Sequence, residues 1–254
     1  MVKDVQSWLD HPEINHGWVI SQRPGNRKCG LRFLAARESA ESAPKLTVEF
    51  TAPPDALAET AQYKVIFRAA WSQRSHPRDF PPNAHWSGIV GGLHHPTVNF
   101  WSGGRTASEG IRDMAELGAQ GTLLGEVEAA IANGSAHRTL AGSGINRGSG
   151  RTDLQFTANR SHPLITLTSM IAPSPDWFVG VHDLPLVEKG EWGARKSAAL
   201  YPYDAGTDSG GTFRSPDRVT DPRGVVSRIS TRPLSNRRGN TLRIGTFVFV
   251  RESP

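Results

Sequence analysis

The residues best suited to binding a ligand lie in a glycine-rich acidic stretch, Tyr201–Ser215, with the sequence YPYDAGTDSGGTFRS. Its two carboxylates, Asp204 and Asp208, stand four residues apart, and the glycines around them argue against a helix. Glycine reaches backbone conformations with positive φ, so this loop can turn carbonyl oxygens inward beside the carboxylates. Carboxylate and carbonyl oxygens are the ligands that Ca²⁺ takes in proteins.

A second acidic loop, Ile171–Trp177, presents Asp176 after two prolines that fix its entry. We expect the two loops to meet at one end of a β-sandwich, where Asp176, Asp204 and Asp208 hold a divalent cation. Two carboxylates about 4 Å apart repel each other by about 4 kcal/mol at an effective dielectric constant near 20, and a divalent ion reverses that sign. The same residues also fit an alternative, in which the aspartates form Asx-turns in ordinary loops.

The composition is that of a soluble globular chain rich in turns. Its 254 residues include 26 glycines, 18 prolines and one cysteine, and the net charge is +5. The many turn formers favour short strands, and a single cysteine excludes an intrachain disulfide. No apolar run approaches the roughly 18 residues that span a bilayer, so membrane insertion is not expected. The basic residues are scattered without interleaved aromatic residues, which argues against a nucleic-acid partner.

Alternating apolar residues predict the strands and helical spacing predicts two helices. The predicted strands are 63–71, 164–170, 225–229 and 241–250, the last apolar on both faces and therefore central. The first helix has a capping box, with Thr106 as N-cap and Glu109 at the third helical position, and ends at Gly118. The second helix is predicted near 120–133. The fold class is therefore mainly β, an antiparallel β-sandwich with two short helices.

Several segments, in the same order along the chain, carry a family resemblance over about residues 62–252. They are Trp71-Ser72, Phe80-Pro81, Ala84–Ser87, Ala107–Gly118, Pro173–Val181 and Tyr201–Gly210, followed by Phe213 and Ser215-Pro216. In these segments the chain resembles the spondin N-terminal (F-spondin) domain, and is nearer to the mindin-like members. The resemblance implies a C2-like β-sandwich, one bound divalent cation of the Ca²⁺ type, and an extracellular role in adhesion or recognition.

The resemblance also implies three acidic ligands for that cation. Two of them correspond to Asp176 and Asp204, and the third corresponds to about Thr157, which is not acidic. Asp208, Asp153, Asn159 or water are the alternatives for the missing oxygen, and weaker cation binding than in the animal members is expected.

Residues 1–52 are similar to the C-terminal half of a DNRLRE-type module of bacterial secreted proteins, and 53–61 reads as a linker. The residues that carry this similarity include Asn15–Ile20 and Pro44–Phe50. The first residues from Met1 lack the charged and apolar regions of a signal peptide. We therefore expect a truncated reading frame, with an export signal in its missing part and a secreted product.

The function predicted from these observations is cation-dependent adhesion to a cell-surface or matrix protein or glycan, without enzymatic activity. One alternative is a carbohydrate-binding accessory module, in which Trp86, Trp101, Trp177 and Trp192 stack on sugars. Another is a hydrolase using residues such as His94 and His95, although the sequence has neither GxSxG nor HExxH.

Overall fold

The computed structural model describes residues 58–235, 238 and 240–252. The predicted DNRLRE-like module at 1–52 lies outside these residues, as does most of the predicted linker. The first strand begins at Thr60, within the last positions of that linker.

Thirteen strands and two helices follow one another along the described residues, and the strand pairings are antiparallel. The strands are β1 (Thr60–Ala70), β2 (His85–Trp86), β3 (Val90–His94), β4 (Ala136–Ala141), β5 (Ser149–Asn159), β6 (Leu164–Ala172), β7 (Trp177–Pro185), β8 (Val187–Glu188), β9 (Glu191–Trp192), β10 (Arg195–Leu200), β11 (Tyr203–Asp204), β12 (Ser227–Arg228) and β13 (Gly245–Arg251). The helices are α1 (Glu109–Leu117) and α2 (Gly121–Ala132).

Two large sheets form a sandwich. One has the strand order β10-β13-β1-β5, and the other has the order β12-β11-β7-β6-β3-β4 with β2 paired to β6. Val65 and Phe67 of β1 and Phe249 of β13 meet Ile165 and Leu167 of β6 in a core from which solvent is excluded. The predicted mainly β sandwich with two short helices is confirmed.

The terminal strand starts later than the sequence predicted. It begins at Gly245 rather than at Thr241, which instead forms an isolated bridge with Ser235. Its central position is confirmed, because β13 lies between β10 and β1. This explains why Val248, on the face opposite Phe247 and Phe249, is also buried.

The helices cover the outer face of the larger sheet. Ile111 and Met114 of α1 and Leu123 of α2 are buried against Val90 and Met170 of that sheet. The spacing of these apolar residues is the helical period that predicted them. Neither helix is long enough or apolar enough to cross a membrane, and the other described residues contain no further helix.

The predicted capping box of α1 is wrong. The N-cap is Ser108, whose hydroxyl accepts a hydrogen bond from the Ile111 amide at 3.2 Å, and not Thr106. Glu109 is the first helical residue and forms ion pairs with Arg112 and Arg223. The helix begins two residues later than the capping box requires. Glu109 is therefore at the first helical position and not at the third, from which its side chain would accept a hydrogen bond from the N-cap amide.

Glu126 of α2 supplies the acidic group that caps α1. Its carboxylate accepts hydrogen bonds from the Gly110 amide and the Ser108 hydroxyl, both at 2.7 Å. A carboxylate at a helix N-terminus satisfies otherwise unpaired amides and complements the helix dipole. The contact therefore ties the two helices to each other.

Replacing Glu126 by alanine should lower the free energy of unfolding by about 1–2 kcal/mol, because two hydrogen bonds at the start of α1 are lost. Chemical denaturation measures this loss. Glu128→Ala is the matched control, since Glu128 is exposed on the same helix. Equal effects of the two substitutions would contradict the assigned cap.

Candidate metal centre

Asp176 immediately precedes β7 and has no exposed surface. Its Oδ2 accepts hydrogen bonds from the Thr207 amide at 2.8 Å, the Asp208 amide at 3.1 Å and the Thr207 hydroxyl at 3.3 Å. One carboxylate oxygen therefore holds the glycine-rich loop that follows β11, although Thr207 is 31 residues away in sequence.

Sheet pairing brings Asp204 beside Asp176. Asp204 pairs with Trp177 in the register of β11 with β7, and the Ala205 amide donates to the Asp176 carbonyl at 3.1 Å. Asp176 and Asp204, which come from separate loops, therefore lie side by side at one end of the sandwich, and their shared binding of a cation stays a prediction.

Asp204 and Asp208 both form the Asx-turns of the alternative interpretation. Asp204 Oδ1 accepts from the Gly206 amide at 2.8 Å, and Asp208 Oδ1 accepts from the Gly210 amide at 2.7 Å. Asp208 Oδ2 also accepts from the Arg218 amide at 2.6 Å. Both oxygens of Asp208 are therefore engaged by backbone donors, whereas Asp204 uses one.

The other oxygen of Asp176, Oδ1, is buried and has no hydrogen-bond partner among the described residues. Burial, together with the negative charge of Asp204, raises the pKa of Asp176 from 3.8 to about 6. Burial also raises the pKa of Asp204, and the charge of Asp208 adds to this. An unpaired buried oxygen beside a second carboxylate is unfavourable unless a proton or a cation compensates it.

A fourth carboxylate, Glu116 in the last turn of α1, was not recognised in the sequence. Burial raises its pKa, and the charges of Asp176 and Asp208 contribute, while the Thr207 hydroxyl acts in the opposite direction. Its position in the helical pattern, between the apolar Ala115 and Leu117, gave no sign of an acidic neighbourhood, because the residues that act on it are distant in sequence.

The positions considered for a third ligand on β5 lie elsewhere. The core ring of Phe213 contacts both Trp71, after β1, and Trp177, so Asp176 lies at the Ala70 end of β1. Thr157 pairs with Gln62, eight residues along β1 from Ala70, or about 26 Å away at 3.3 Å per residue.

Asn159 and Asp153 are also unsuitable. Asn159 Oδ1 accepts from the Ser161 amide in the turn before β6, whereas Asp176 follows the far end of β6. Asp153 is exposed and pairs with Ile66 in the middle of β1. Across residues 58–235, 238 and 240–252, no group of three or more His, Cys, Asp or Glu side chains is arranged to hold a metal ion.

An open groove of about 310 Å³ borders the acidic loops. The residues that line it include Asp204, Asp208, Ser227, Arg228 and Thr231. The Arg228 guanidinium lies over the Tyr201 ring at 3.6 Å from its centroid. The groove is thus polar and carries both signs of charge.

The tryptophans predicted to bind sugars and the histidine His94 predicted for a hydrolase are buried inside the protein. Trp86, Trp101, Trp177 and Trp192 are all buried, with 2–4% of their surface exposed, so none offers a face to a sugar. The buried His94 has its Nε2 2.8 Å from the Thr166 hydroxyl and its Nδ1 3.1 Å from the His95 carbonyl oxygen. Burial lowers the pKa of His94.

Comparison with known proteins identifies relatives over this part of the chain. The Spondin_N family model matches residues 61–240. Spondin-2 of Homo sapiens is 39% identical over 175 residues, covering 67% of this chain and 53% of the relative. Spondin-1 of Mus musculus is 35% identical over 185 residues, covering 70% of this chain and 22% of the relative.

A third relative, Spondin-1 of Xenopus laevis, is 35% identical over 196 residues, covering 74% of this chain and 23% of the relative. The chain spans about half the length of Spondin-2 and less than a quarter of Spondin-1. Spondin-1 and Spondin-2 are secreted proteins of the extracellular matrix, which agrees with the predicted extracellular location. These vertebrate relatives give no support to the bacterial origin predicted from residues 1–52.

The raised pKa of Asp176 predicts how stability depends on pH when divalent cations are removed by a chelator. The folded state binds this proton more tightly than the unfolded state, so stability falls as pH rises from about 4 to about 6. The loss attributable to Asp176 is about 3 kcal/mol. Denaturation curves of the parent and Asp176→Asn chains across this range measure it, and an unchanged pH dependence in the variant would disprove the assignment.

Proposed function

Because the chain belongs to the spondin N-terminal domain family, we propose that it is an extracellular, non-catalytic recognition module whose acidic loops are joined by a divalent cation, Ca²⁺ above others. The observation that carries the cation is the buried Oδ1 of Asp176 beside Asp204, to which no described residue donates a hydrogen bond. In this proposal the cation takes the place of a proton at neutral pH and reverses the repulsion between the carboxylates.

The donor chemistry favours a hard cation. Asp176 Oδ1, which has no hydrogen bond from the described residues, and the carboxylate of Asp204 are the first two proposed ligands. Carboxylates, backbone carbonyls and water suit Ca²⁺ or Mg²⁺, and the flexible coordination of Ca²⁺ suits a site with few protein ligands. Asp208 remains a proposed ligand that shares its oxygens with the Gly210 and Arg218 amides.

Glu116 adds negative charge near the same loop and increases the attraction for a cation. Burial raises the pKa of Glu116 most, and the charges of Asp176 and Asp208 add to it, so a cation bound nearby would lower the pKa of Glu116. The proposed ion therefore links α1, the loop before β7 and the loop after β11.

The proposed recognition surface is the loop end itself, including the polar groove beside Asp204. Loops held by a rigid scaffold are the usual place for binding residues. Arg228, oriented by its stacking on Tyr201, and the hydroxyls of Ser227 and Thr231 offer hydrogen bonds to a cell-surface or matrix protein or a glycan. The cation acts by fixing the shape of this surface.

Calcium should stabilise the protein and a chelator should destabilise it. At a free Ca²⁺ concentration of about 100 times Kd the gain is about 2.7 kcal/mol, or a rise in Tm of about 5–10 °C. Titration calorimetry and thermal denaturation measure binding and stabilisation. The response should disappear in Asp176→Asn and Asp204→Asn, and calcium affinity should weaken as pH falls below about 6, where the cation competes with the Asp176 proton.

Asp217→Asn is the matched control for these substitutions. Asp217 is exposed in the same loop region, and its replacement removes the same charge. The variant should keep the calcium response of the parent. A parent protein whose Tm is the same in excess chelator and in calcium would refute the proposed ion.

Adhesion itself should depend on the cation. We expect the immobilised chain to capture one or more matrix proteins or glycans from a defined panel in calcium, and to lose at least about tenfold in affinity in chelator or as Asp204→Asn. Asp217→Asn should retain the binding. Capture that is insensitive to both chelator and Asp204→Asn would separate recognition from the cation site.

A further inference from the structure

The outer edge of β5 is a long, exposed row of backbone groups. β5 is the last strand of its sheet and pairs with β1 over 11 residues, from Ser149 to Asn159. No other strand of the described residues pairs with its far side. Exposed edges of this kind are templates for pairing with another chain.

The register with β1 fixes which residues of β5 point their backbone groups outward. Hydrogen bonds run from the Trp71 amide to the Gly148 carbonyl and from the Arg160 amide to the Glu59 carbonyl, at the two ends of the ladder. Hydrogen-bonded positions alternate along an antiparallel pair, so even-numbered residues of β5 bond to β1. Arg151, with the other odd-numbered residues, therefore directs its amide and carbonyl away from the sheet.

The charges on this edge alternate in sign and are unpaired. Arg151 and Asp153 are both exposed, and neither has an ion pair or side-chain hydrogen bond with the described residues. Arg151 stands directly opposite Arg68 of β1, a like-charge pair that is unfavourable in a sheet. Asp153 stands opposite the uncharged Ile66. An acidic group placed beside Arg151 would offset the repulsion from Arg68.

We propose that β5 pairs with β5 of a second copy of this chain, antiparallel and about a two-fold axis at Thr152. This register puts Arg151 of each copy opposite Asp153 of the other, and Ser149 opposite Gln155. All of these are odd-numbered residues, so the outward amides and carbonyls of the two copies meet as hydrogen-bonded pairs. Four such pairs give about eight backbone hydrogen bonds.

The charges select this register against its neighbours. Two neighbouring registers also pair odd-numbered residues with each other. One places Arg151 opposite Arg151, and the other places Asp153 opposite Asp153. Either arrangement sets like charges against each other across the two-fold axis. Charged residues on an edge strand usually prevent association. On β5 the order of the two signs makes the edge complementary to itself, as an isologous interface requires.

The dimer has a consequence that rests on the proposed function. The acidic loops lie at the Ser149 end of β5, and antiparallel pairing sends the two copies of that end in opposite directions. One dimer would then present two recognition surfaces facing away from each other, an arrangement suited to bridging two surfaces.

Charge exchange tests the pairing in the full chain, by sedimentation velocity over a wide range of protein concentration. The parent should form a dimer, and Arg151→Asp or Asp153→Arg alone should weaken it by about ten- to a hundredfold, because each creates two like-charge pairs. The double substitution R151D/D153R should restore the dimer, since it exchanges the signs and keeps the complementarity. An equimolar mixture of the two single variants should form a heterodimer.

Arg195→Asp is the control, because it makes the same charge change on β10, the opposite edge of the same sheet. It should dimerise like the parent. Hydrogen exchange gives a second readout: protection of the Arg151 and Asp153 amides should rise with concentration, whereas Leu154 is protected throughout. A monomeric parent at every concentration, a dimer indifferent to the single substitutions, or a double variant no better than the singles would overturn the proposal. None of these outcomes depends on calcium binding.

Discussion

The buried carboxylate of Asp176 sets the geometry of the loop end. One of its oxygens receives the Thr207 and Asp208 amides and so fixes the loop after β11 against the start of β7. The other oxygen is also buried, and within the part of the chain that the structure describes it has no hydrogen-bond partner. A carboxylate that organises a loop through one oxygen and leaves the other unpaired is stable when that oxygen carries a proton or contacts a cation.

Aromatic packing at one end of the sandwich explains why this carboxylate is buried. Trp177, the residue after Asp176, is buried in the core and contacts Phe213 of the loop that follows β11. Phe213 in turn contacts Trp71. The aromatic packing closes the end of the core over the carboxylate. Stability of the scaffold and electrostatic cost at Asp176 are thus linked, because the contacts that exclude water from the core also exclude it from the charged group.

Sequence reasoning reached the pair Asp176 and Asp204, because the loops that carry them are recognisable by their proline and glycine spacing. It failed where a residue acts on a distant segment. Glu126 caps α1 from another helix, so the local capping pattern pointed instead to Thr106 and Glu109. Glu116 acquires its acidic neighbours through tertiary contact alone.

The position of Thr157 shows a different limit. Counting back along the sequence from the Asp176 loop led to Thr157, but the sequence does not tell at which end of the sandwich a strand residue lies. In the structure Thr157 is in the part of β5 at the opposite end from Asp176. The alternating apolar pattern of β1 predicted its buried face, whereas the partner strands and their register depend on contacts between segments far apart in the chain. The Asx-turns of the alternative interpretation are present at both Asp204 and Asp208, whose Oδ1 atoms accept from the Gly206 and Gly210 amides.

The most direct measurement is luminescence from Tb³⁺, a hard trivalent cation that occupies oxygen-ligand calcium sites, excited through the tryptophan next to Asp176. If Asp176 and Asp204 bind one cation, Tb³⁺ should show emission sensitised by Trp177, should lose most of it in Trp177→Phe, and should be displaced by Ca²⁺. Absence of sensitised emission from the parent protein, or emission that persists unchanged in Asp176→Asn, would contradict the central claim.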